Sequence, residues 1–184
     1  MGFDLSGINP NVSRPEPELP PMTERTSKHW EQYHEWQNEN CGTYFRNNVW
    51  SWRPLWHFVT GACENILTEK DIEHGSYNDG HKISKTKAGK IAKELFRLIE
   101  TDQVKAYESM YKKEMDSLEQ VDCDLCEATG KRQEPPKTGA GDMECNKCDG
   151  TGKVDDWAKS YPFSEDNVRQ FANFCANSGG FIIC

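Results

Sequence analysis

Alternating and helically spaced apolar residues predict both strands and helices along this chain. Near the start, apolar Phe3 and Leu5 alternate with polar Asp4 and Ser6, which is the period of a strand with one buried face. At the other end, residues 181–184 are apolar and rich in β-prone types, so they could pair with the first strand. We therefore expect an α+β fold in which a short sheet joins the two termini.

Four segments with apolar residues at helical spacing predict a small helical body. The first helix should begin close to Arg53, because Pro54 is tolerated in the first turn of a helix and not in its interior. The other three are predicted to start after Ser84, to run from Asp102 to about Leu118, and to run from a Ser164 cap to Gly179 and Gly180. Residues 29–37 could add two further helical turns.

Proline and cysteine divide the chain into a body and an inserted module. Five of the nine prolines lie between positions 10 and 21, which excludes helix or central strand there, so 10–40 is predicted to be a Pro-rich loop or insertion. Four cysteines cluster between the third and fourth predicted helices. We expect an aromatic-rich α+β body of residues 1–121 and 156–184 with a zinc-knuckle module at 122–155.

The module contains an internal repeat, because C-x-x-C-x-x-T-G-K occurs at 123–131 and again at 145–153. Two thiolates three residues apart can bind one metal ion where the chain curls tightly, and glycine permits such turns. Cys123, Cys126, Cys145 and Cys148 have the spacing of a tetrahedral zinc site. One Zn²⁺ with four thiolate ligands has no open position, so we expect a structural metal.

Two other interpretations of the cysteines are a redox C-x-x-C pair and coincidence. A thioredoxin-like pair needs a βαβ context, which the pattern around 122–155 does not predict, and two tandem copies favour a metal. The repeat also resembles the cysteine-rich region of DnaJ-type chaperones, whose pattern is C-x-x-C-x-G-x-G. Residues 145–152 match it fully, whereas Ala128 replaces the first glycine of the first copy.

The DnaJ resemblance covers about 30 residues and supports only a metal site. Those chaperones carry four repeats and bind two zinc ions, whereas this chain has two repeats and lacks the His-Pro-Asp of a J-domain. The resemblance therefore does not imply co-chaperone activity.

Aromatic rings are interleaved with polar and cationic side chains between Tyr44 and Trp56. Buried Arg and Asn are costly unless paired, so this segment is either core with a satisfied polar network or the wall of a polar pocket. Trp beside Arg also suits a stacking site for a nucleotide base. The candidate ligand-binding residues are Arg46, Asn47, Asn48, Trp50, Trp52, Arg53, Asp79 and His81.

Charge and hydropathy exclude several functional classes. A net charge of -8 and an acidic module disfavour attraction to phosphates, so nucleic acid is not an expected partner. The chain has no apolar run of about 18 residues and no secretory signal, so we expect no membrane span and a cytoplasmic setting with reduced cysteines. The sequence does not indicate an oligomeric state.

Motifs along most of the chain resemble an uncharacterised family of small proteins encoded mainly by bacteriophages and prophages. The motifs are M-G-F-D-L-x-G-x-N-P, Y-F-R-N-N-V-W-x-W-R-P-L, the two C-x-x-C pairs, Y-P-F-S-x-x-N-V-x-x-F and S-G-G-F-x-I-C. The resemblance implies a phage origin and the cytoplasm of the host cell. It implies no mechanism.

The sequence contains none of the common catalytic motifs, which favours a binding protein over an enzyme. We predict a phage-encoded, zinc-containing, non-catalytic protein that binds a host protein or a small nucleotide-like ligand through 46–56. One alternative is a small hydrolase or nuclease-like enzyme in which Asp79, His81 and Arg53 converge within about 4–6 Å. Another is a structural component of the virion.

Overall fold

A computed structural model describes residues 2–132, 134 and 141–184, and it shows the mixed α+β architecture that the sequence predicts. The helices are α1 (Ser27–Glu39), α2 (Val49–Ala62), α3 (Glu69–His74), α4 (Lys85–Glu100), α5 (Gln103–Ser117) and α6 (Glu165–Asn177). The strands are β1 (Gly2–Gly7), β2 (Tyr44–Asn48), β3 (His81–Ser84), β4 (Val121–Asp122), β5 (Lys153–Val154) and β6 (Gly180–Ile183).

The chain divides into two compact units. The first, which we call the body unit, comprises residues 1–109 and 162–184. The second, the cysteine unit, comprises residues 110–161. The body unit contains a sheet of strand order β2-β1-β6-β3, and the cysteine unit contains the short ladder of β4 and β5.

The two terminal strands pair in the centre of the body sheet, as the sequence predicts. Strands β1 and β6 are antiparallel, with Leu5 opposite Ile183. The pairing continues beyond the regular strands, because the Asp4 N–H donates to the Cys184 carbonyl at 2.9 Å and the Cys184 N–H donates to the Asp4 carbonyl at 2.8 Å. The sheet therefore joins the two termini.

One face of this sheet forms the core of the body unit. Phe3, Leu5, Phe45, Phe181 and Ile183 point to that face and are buried, as the period of two along a strand requires. Helices α2, α4 and α6 pack against the buried side. Because aliphatic residues are scarce, rings supply much of this core.

Three of the predicted helices are confirmed to within a residue or two. Ser84 caps α4 by accepting a hydrogen bond from the Lys87 N–H at 3.4 Å, and Ser164 caps α6 by accepting one from the Asn167 N–H at 3.3 Å. Helix α5 begins one residue after the predicted Asp102. Local capping residues were therefore enough to predict where α4 and α6 begin.

Two boundaries differ from those predicted. Helix α2 begins at Val49, because Asn48 caps it and accepts a hydrogen bond from the Ser51 N–H at 2.8 Å. Pro54 lies inside the helix, where it removes one backbone donor and crowds the preceding turn, a cost that burial of the apolar face of α2 offsets. Helix α1 confirms the helical turns predicted at 29–37 and is longer than they are, so the second half of 10–40 is not the predicted loop; a capping box at Thr26 follows the last proline of that stretch.

Candidate metal centre and predicted ligand residues

The four repeated cysteines lie together in the cysteine unit. The Cys123 and Cys145 sulfurs are 3.8 Å apart, and the Cys126 and Cys148 sulfurs are 3.7 Å apart. All four sulfurs lie within 4.8 Å of one another and are buried. Among the described residues, these four cysteines form the one group of His, Cys, Asp or Glu side chains that is placed to hold a metal ion.

The two C-x-x-C segments form equivalent turns that are hydrogen-bonded to each other. The Cys123 N–H donates to the Gly152 carbonyl at 2.9 Å, and the Cys145 N–H donates to the Gly130 carbonyl at 2.8 Å. Each turn therefore ends on a glycine whose carbonyl holds the first cysteine of the other turn. The Gly152 N–H also points at the Cys148 sulfur, at 3.3 Å, as N–H groups do around bound thiolates.

The repeated Thr-Gly-Lys explains how each turn is closed. The Thr129 hydroxyl donates to the Cys126 carbonyl at 2.6 Å and accepts from the Lys131 N–H at 3.3 Å. Thr151 makes the same two bonds, at 2.6 Å and 3.3 Å. The lysine side chains then pair with acids, Lys131 with Asp142 at 2.6 Å and Lys153 with Asp122 at 2.5 Å. The repeat is thus a turn motif as well as a ligand motif.

Two of the predicted ligand residues lie in the core of the body unit. Trp52 is fully buried and its indole N–H donates to the Gly75 carbonyl at 2.9 Å. Its ring stacks on Phe3, with centroids 5.2 Å apart. Asn47 is also buried, and its amide donates to the Asn167 side chain at 2.8 Å. For these two residues the structure supports the core interpretation of the aromatic segment.

The other predicted ligand residues of 44–56 lie at or near the surface. Arg46 is exposed on β2, with its Nε 3.6 Å from the Asp4 carboxylate. Trp50 is half-buried and Arg53 exposed, both on α2. Asn48 is exposed and caps that helix. These four predicted ligand residues are therefore exposed or half-exposed.

Asp79 and His81 are adjacent, but their side chains pair with residues that the sequence did not single out. The backbone N–H of His81 donates to Asp79 Oδ1 at 3.1 Å. The ring nitrogen Nε2 of His81 lies 2.9 Å from Asp71 Oδ1. The Asp79 carboxylate pairs with His74 Nδ1, and this hydrogen bond lowers the pKa of Asp79. The His74 and His81 rings stack with centroids 5.1 Å apart.

Asp71 is the centre of this cluster. Its buried carboxylate accepts hydrogen bonds from the Thr68 N–H at 2.8 Å, from the Thr68 hydroxyl at 2.7 Å and from His81, and it pairs with the Lys87 ammonium. Burial alone would raise the pKa of Asp71, but the bonds from Lys87, Thr68 and His81 hold it well below its usual range. The Asp71 side chain therefore joins α3, β3 and α4.

A sequence signal for this cluster exists only in part. Thr68 and Asp71 form a capping box, which T-x-x-D predicts locally. The contacts of Asp71 with His81 and Lys87 join residues from three different elements. No local pattern encodes those two pairs.

No protein-family model, no curated protein and no solved structure matches this chain. The phage family therefore stays a prediction from the sequence motifs. None of the described helices combines the length and the apolarity needed to cross a lipid bilayer.

Proposed function

We propose that this chain is a zinc-stabilised, non-catalytic binding protein that is encoded by a phage and acts in the host cytoplasm. The supporting observation is the set of four buried thiols, which offers sulfur ligands alone. With a Zn–S distance of about 2.3 Å, a tetrahedral Zn²⁺ site has sulfurs about 3.8 Å apart. The spacings of 3.8 Å and 3.7 Å across the two turns suit that ion.

A zinc ion with four thiolate ligands has no open position for water or substrate, so it would contribute to folding and not to catalysis. Native mass spectrometry of protein purified without chelator should show one zinc ion per chain. Cys126→Ser and Cys148→Ser should lose the metal, whereas Cys41→Ser, in the body unit, should keep it. Purified protein with no metal, or with iron, would contradict the zinc assignment.

For the ligand we propose a small nucleotide-like molecule, with a segment of a host protein as the alternative occupant, bound at the exposed part of 46–56. Trp50 and Arg53 are three residues apart in α2 and are therefore neighbours on its surface. A guanidinium can bind phosphate in a bidentate manner, and an indole can stack on a base. Arg46 is exposed on the outer face of β2, opposite the face against which α2 packs, so Trp50 and Arg53 carry this proposal.

Titration with ATP and GTP, followed by tryptophan fluorescence, tests the nucleotide form of this proposal. We expect saturable binding that Arg53→Ala weakens about tenfold or more, equivalent to about 1.4 kcal/mol. Arg169→Ala is the matched control, because Arg169 is an exposed guanidinium on α6. No saturable change with either nucleotide, or equal binding by the Arg53 and Arg169 variants, would contradict it.

A hydrolase that uses Asp79, His81 and Arg53 is the second candidate, favoured by two imidazoles that each lie beside a carboxylate. The Asp71 carboxylate next to His81 already accepts hydrogen bonds from four donors. This suits a structural role, in which Asp71 holds α3, β3 and α4 together, better than a role in a reaction. Release of phosphate from ATP, lost in His81→Asn, would favour the enzyme. The virion alternative stays a prediction, which mass spectrometry of purified particles can check.

A further inference from the structure

A small cleft opens on the body unit where α2, α4 and α5 meet. Its volume is about 360 Å³, which falls within the size range of small-molecule sites. The residues that line it include His57, Phe58 and Gly61 of α2, Leu98 of α4, and Gln103 and Tyr107 of α5. The cleft lies on the same helix as Trp50 and Arg53 but is lined by different residues.

Gly61 lines the exposed side of this cleft. It is the last residue but one of α2, and glycine within a helix is less stable than alanine. A Cβ atom built on Gly61 would meet no described atom within 4 Å, and its backbone is not left-handed. The packing of the body unit therefore does not require glycine at this position, and the space left by the missing side chain belongs to the cleft.

Aromatic rings form one wall of the cleft. The Phe58 and Tyr107 rings have centroids 4.9 Å apart, and both residues are half-buried. Phe163 packs against both, at 5.2 Å from Phe58 and 4.8 Å from Tyr107, which holds the pair in place. Rings fixed in this way and open to solvent on one side can stack on a planar ligand.

The polar groups at the cleft are neutral donors and acceptors. Among the described residues that line it, none is a lysine, arginine, aspartate or glutamate. The Gln103 carboxamide offers a donor and an acceptor side by side, and it uses one N–H on Thr101, at 2.9 Å. A glutamine can pair with the donor–acceptor edge of adenine in this way. The His57 ring adds one more polar group.

We propose that this cleft binds a neutral purine base or nucleoside, with its ring stacked on one of the Phe58 and Tyr107 rings, which are tilted 54° from each other, and its edge hydrogen-bonded by Gln103. This proposal rests on the binding function proposed above and names the class of ligand. It differs from that proposal in its site, because it involves no phosphate and neither Arg46 nor Arg53.

Isothermal titration of the zinc-loaded full chain with adenosine tests the proposal. We expect saturable one-to-one binding. Gly61→Ala adds a methyl group to the cleft and should raise the Kd about tenfold or more while raising Tm. Gly89→Ala is the matched control, because Gly89 is an interior glycine of α4 that also has no described atom within 4 Å of its Cβ position. It should raise Tm similarly and bind adenosine like the wild type.

Gln103→Ala provides a second variant, which should weaken adenosine binding while it leaves the aromatic wall intact. Absence of adenosine binding, or equal Kd values for the Gly61 and Gly89 variants, would overturn the cleft proposal. ATP binding that Arg53→Ala weakens, together with no binding of adenosine, would overturn the cleft proposal and leave the function proposed above standing. Adenosine binding that responds only to Gly61→Ala and Gln103→Ala would support the cleft and count against 46–56 as the ligand site.

Discussion

Gly130, Gly150 and Gly152 differ in what a side chain would meet at each position. A Cβ on Gly130 would lie 2.2 Å from the Gly150 carbonyl oxygen, and a Cβ on Gly152 would lie 2.2 Å from the Ala128 carbonyl oxygen. A Cβ on Gly150 would only touch the Glu144 side chain, at 3.5 Å. This difference explains why the first turn can have Ala128, at φ 62°, where the second has Gly150.

We therefore expect Gly130→Ala to prevent assembly of the two turns and to lose the metal. Gly150→Ala should cost only the left-handed backbone of a non-glycine residue, about 1–2 kcal/mol, and should still bind zinc. Ala128→Gly should stabilise the cysteine unit by a similar amount for the same reason. Competition with a chromophoric chelator measures the zinc affinity of each variant. Equal loss of affinity in the Gly130 and Gly150 variants would show that the close contact is unimportant.

The Asp71 carboxylate should make the stability of the body unit depend on pH. Because its pKa is lowered in the folded state, its contribution is present above the pKa of the unfolded chain and is lost as the pH falls. We expect Asp71→Asn to lower the free energy of unfolding by about 3 kcal/mol at pH 7. The difference from wild type should be constant above about pH 5 and shrink below about pH 4.

Urea unfolding followed by tryptophan fluorescence at several pH values measures this difference. Asp79→Asn is the control, because the exposed pair of Asp79 with His74 should contribute little. If the difference in the free energy of unfolding between wild type and Asp71→Asn stayed unchanged down to pH 3, the ionised Asp71 carboxylate would not be what stabilises this cluster.

At the scale of elements, the start of α2 depends on the Asn48 cap. Its side chain accepts the Ser51 N–H, so Asn48→Ala should lower stability by about 1 kcal/mol, whereas Asn48→Asp should keep most of it. Thermal unfolding of the two variants checks this. If Asn48→Ala has the Tm of the wild type but no longer binds the nucleotide, Asn48 contributes to ligand binding and not to helix stability.

The elements differ in how far the sequence could predict them. Helices α4 and α6 carry both an apolar stripe and a serine cap within their own segments, so local pattern was sufficient. Strands β2 and β3 are short, and they pair with β1 and β6 from distant parts of the chain. Their stability comes from those partners, which is why neither was predicted.

At the scale of the whole molecule, the two units should respond differently to metal removal. In the cysteine unit the buried described residues are the four cysteines with Gly130 and Gly152, so it has little apolar core of its own. The body unit has an aromatic core that does not involve the cysteine site. We expect a zinc chelator to unfold 110–161 while the body unit stays folded.

Amide NMR spectra before and after the chelator measure this response. Addition of zinc should restore the lost signals. Loss of both sets of signals at the same chelator concentration would mean that the body unit also depends on the metal.

The sequence by itself determined the four metal-site cysteines, the serine caps of α4 and α6, and the strand character of both termini. These features depend on spacing within a turn, on capping residues and on alternation along one strand, which are local, whereas the predicted pairing of the two terminal strands was confirmed only by the structure. Only the tertiary structure decided that Trp52 and Asn47 lie in the core, that His81 pairs with Asp71, and that a cleft opens beside Gly61. Burial and pairing between distant residues depend on which elements pack together, and that information is spread over the whole chain.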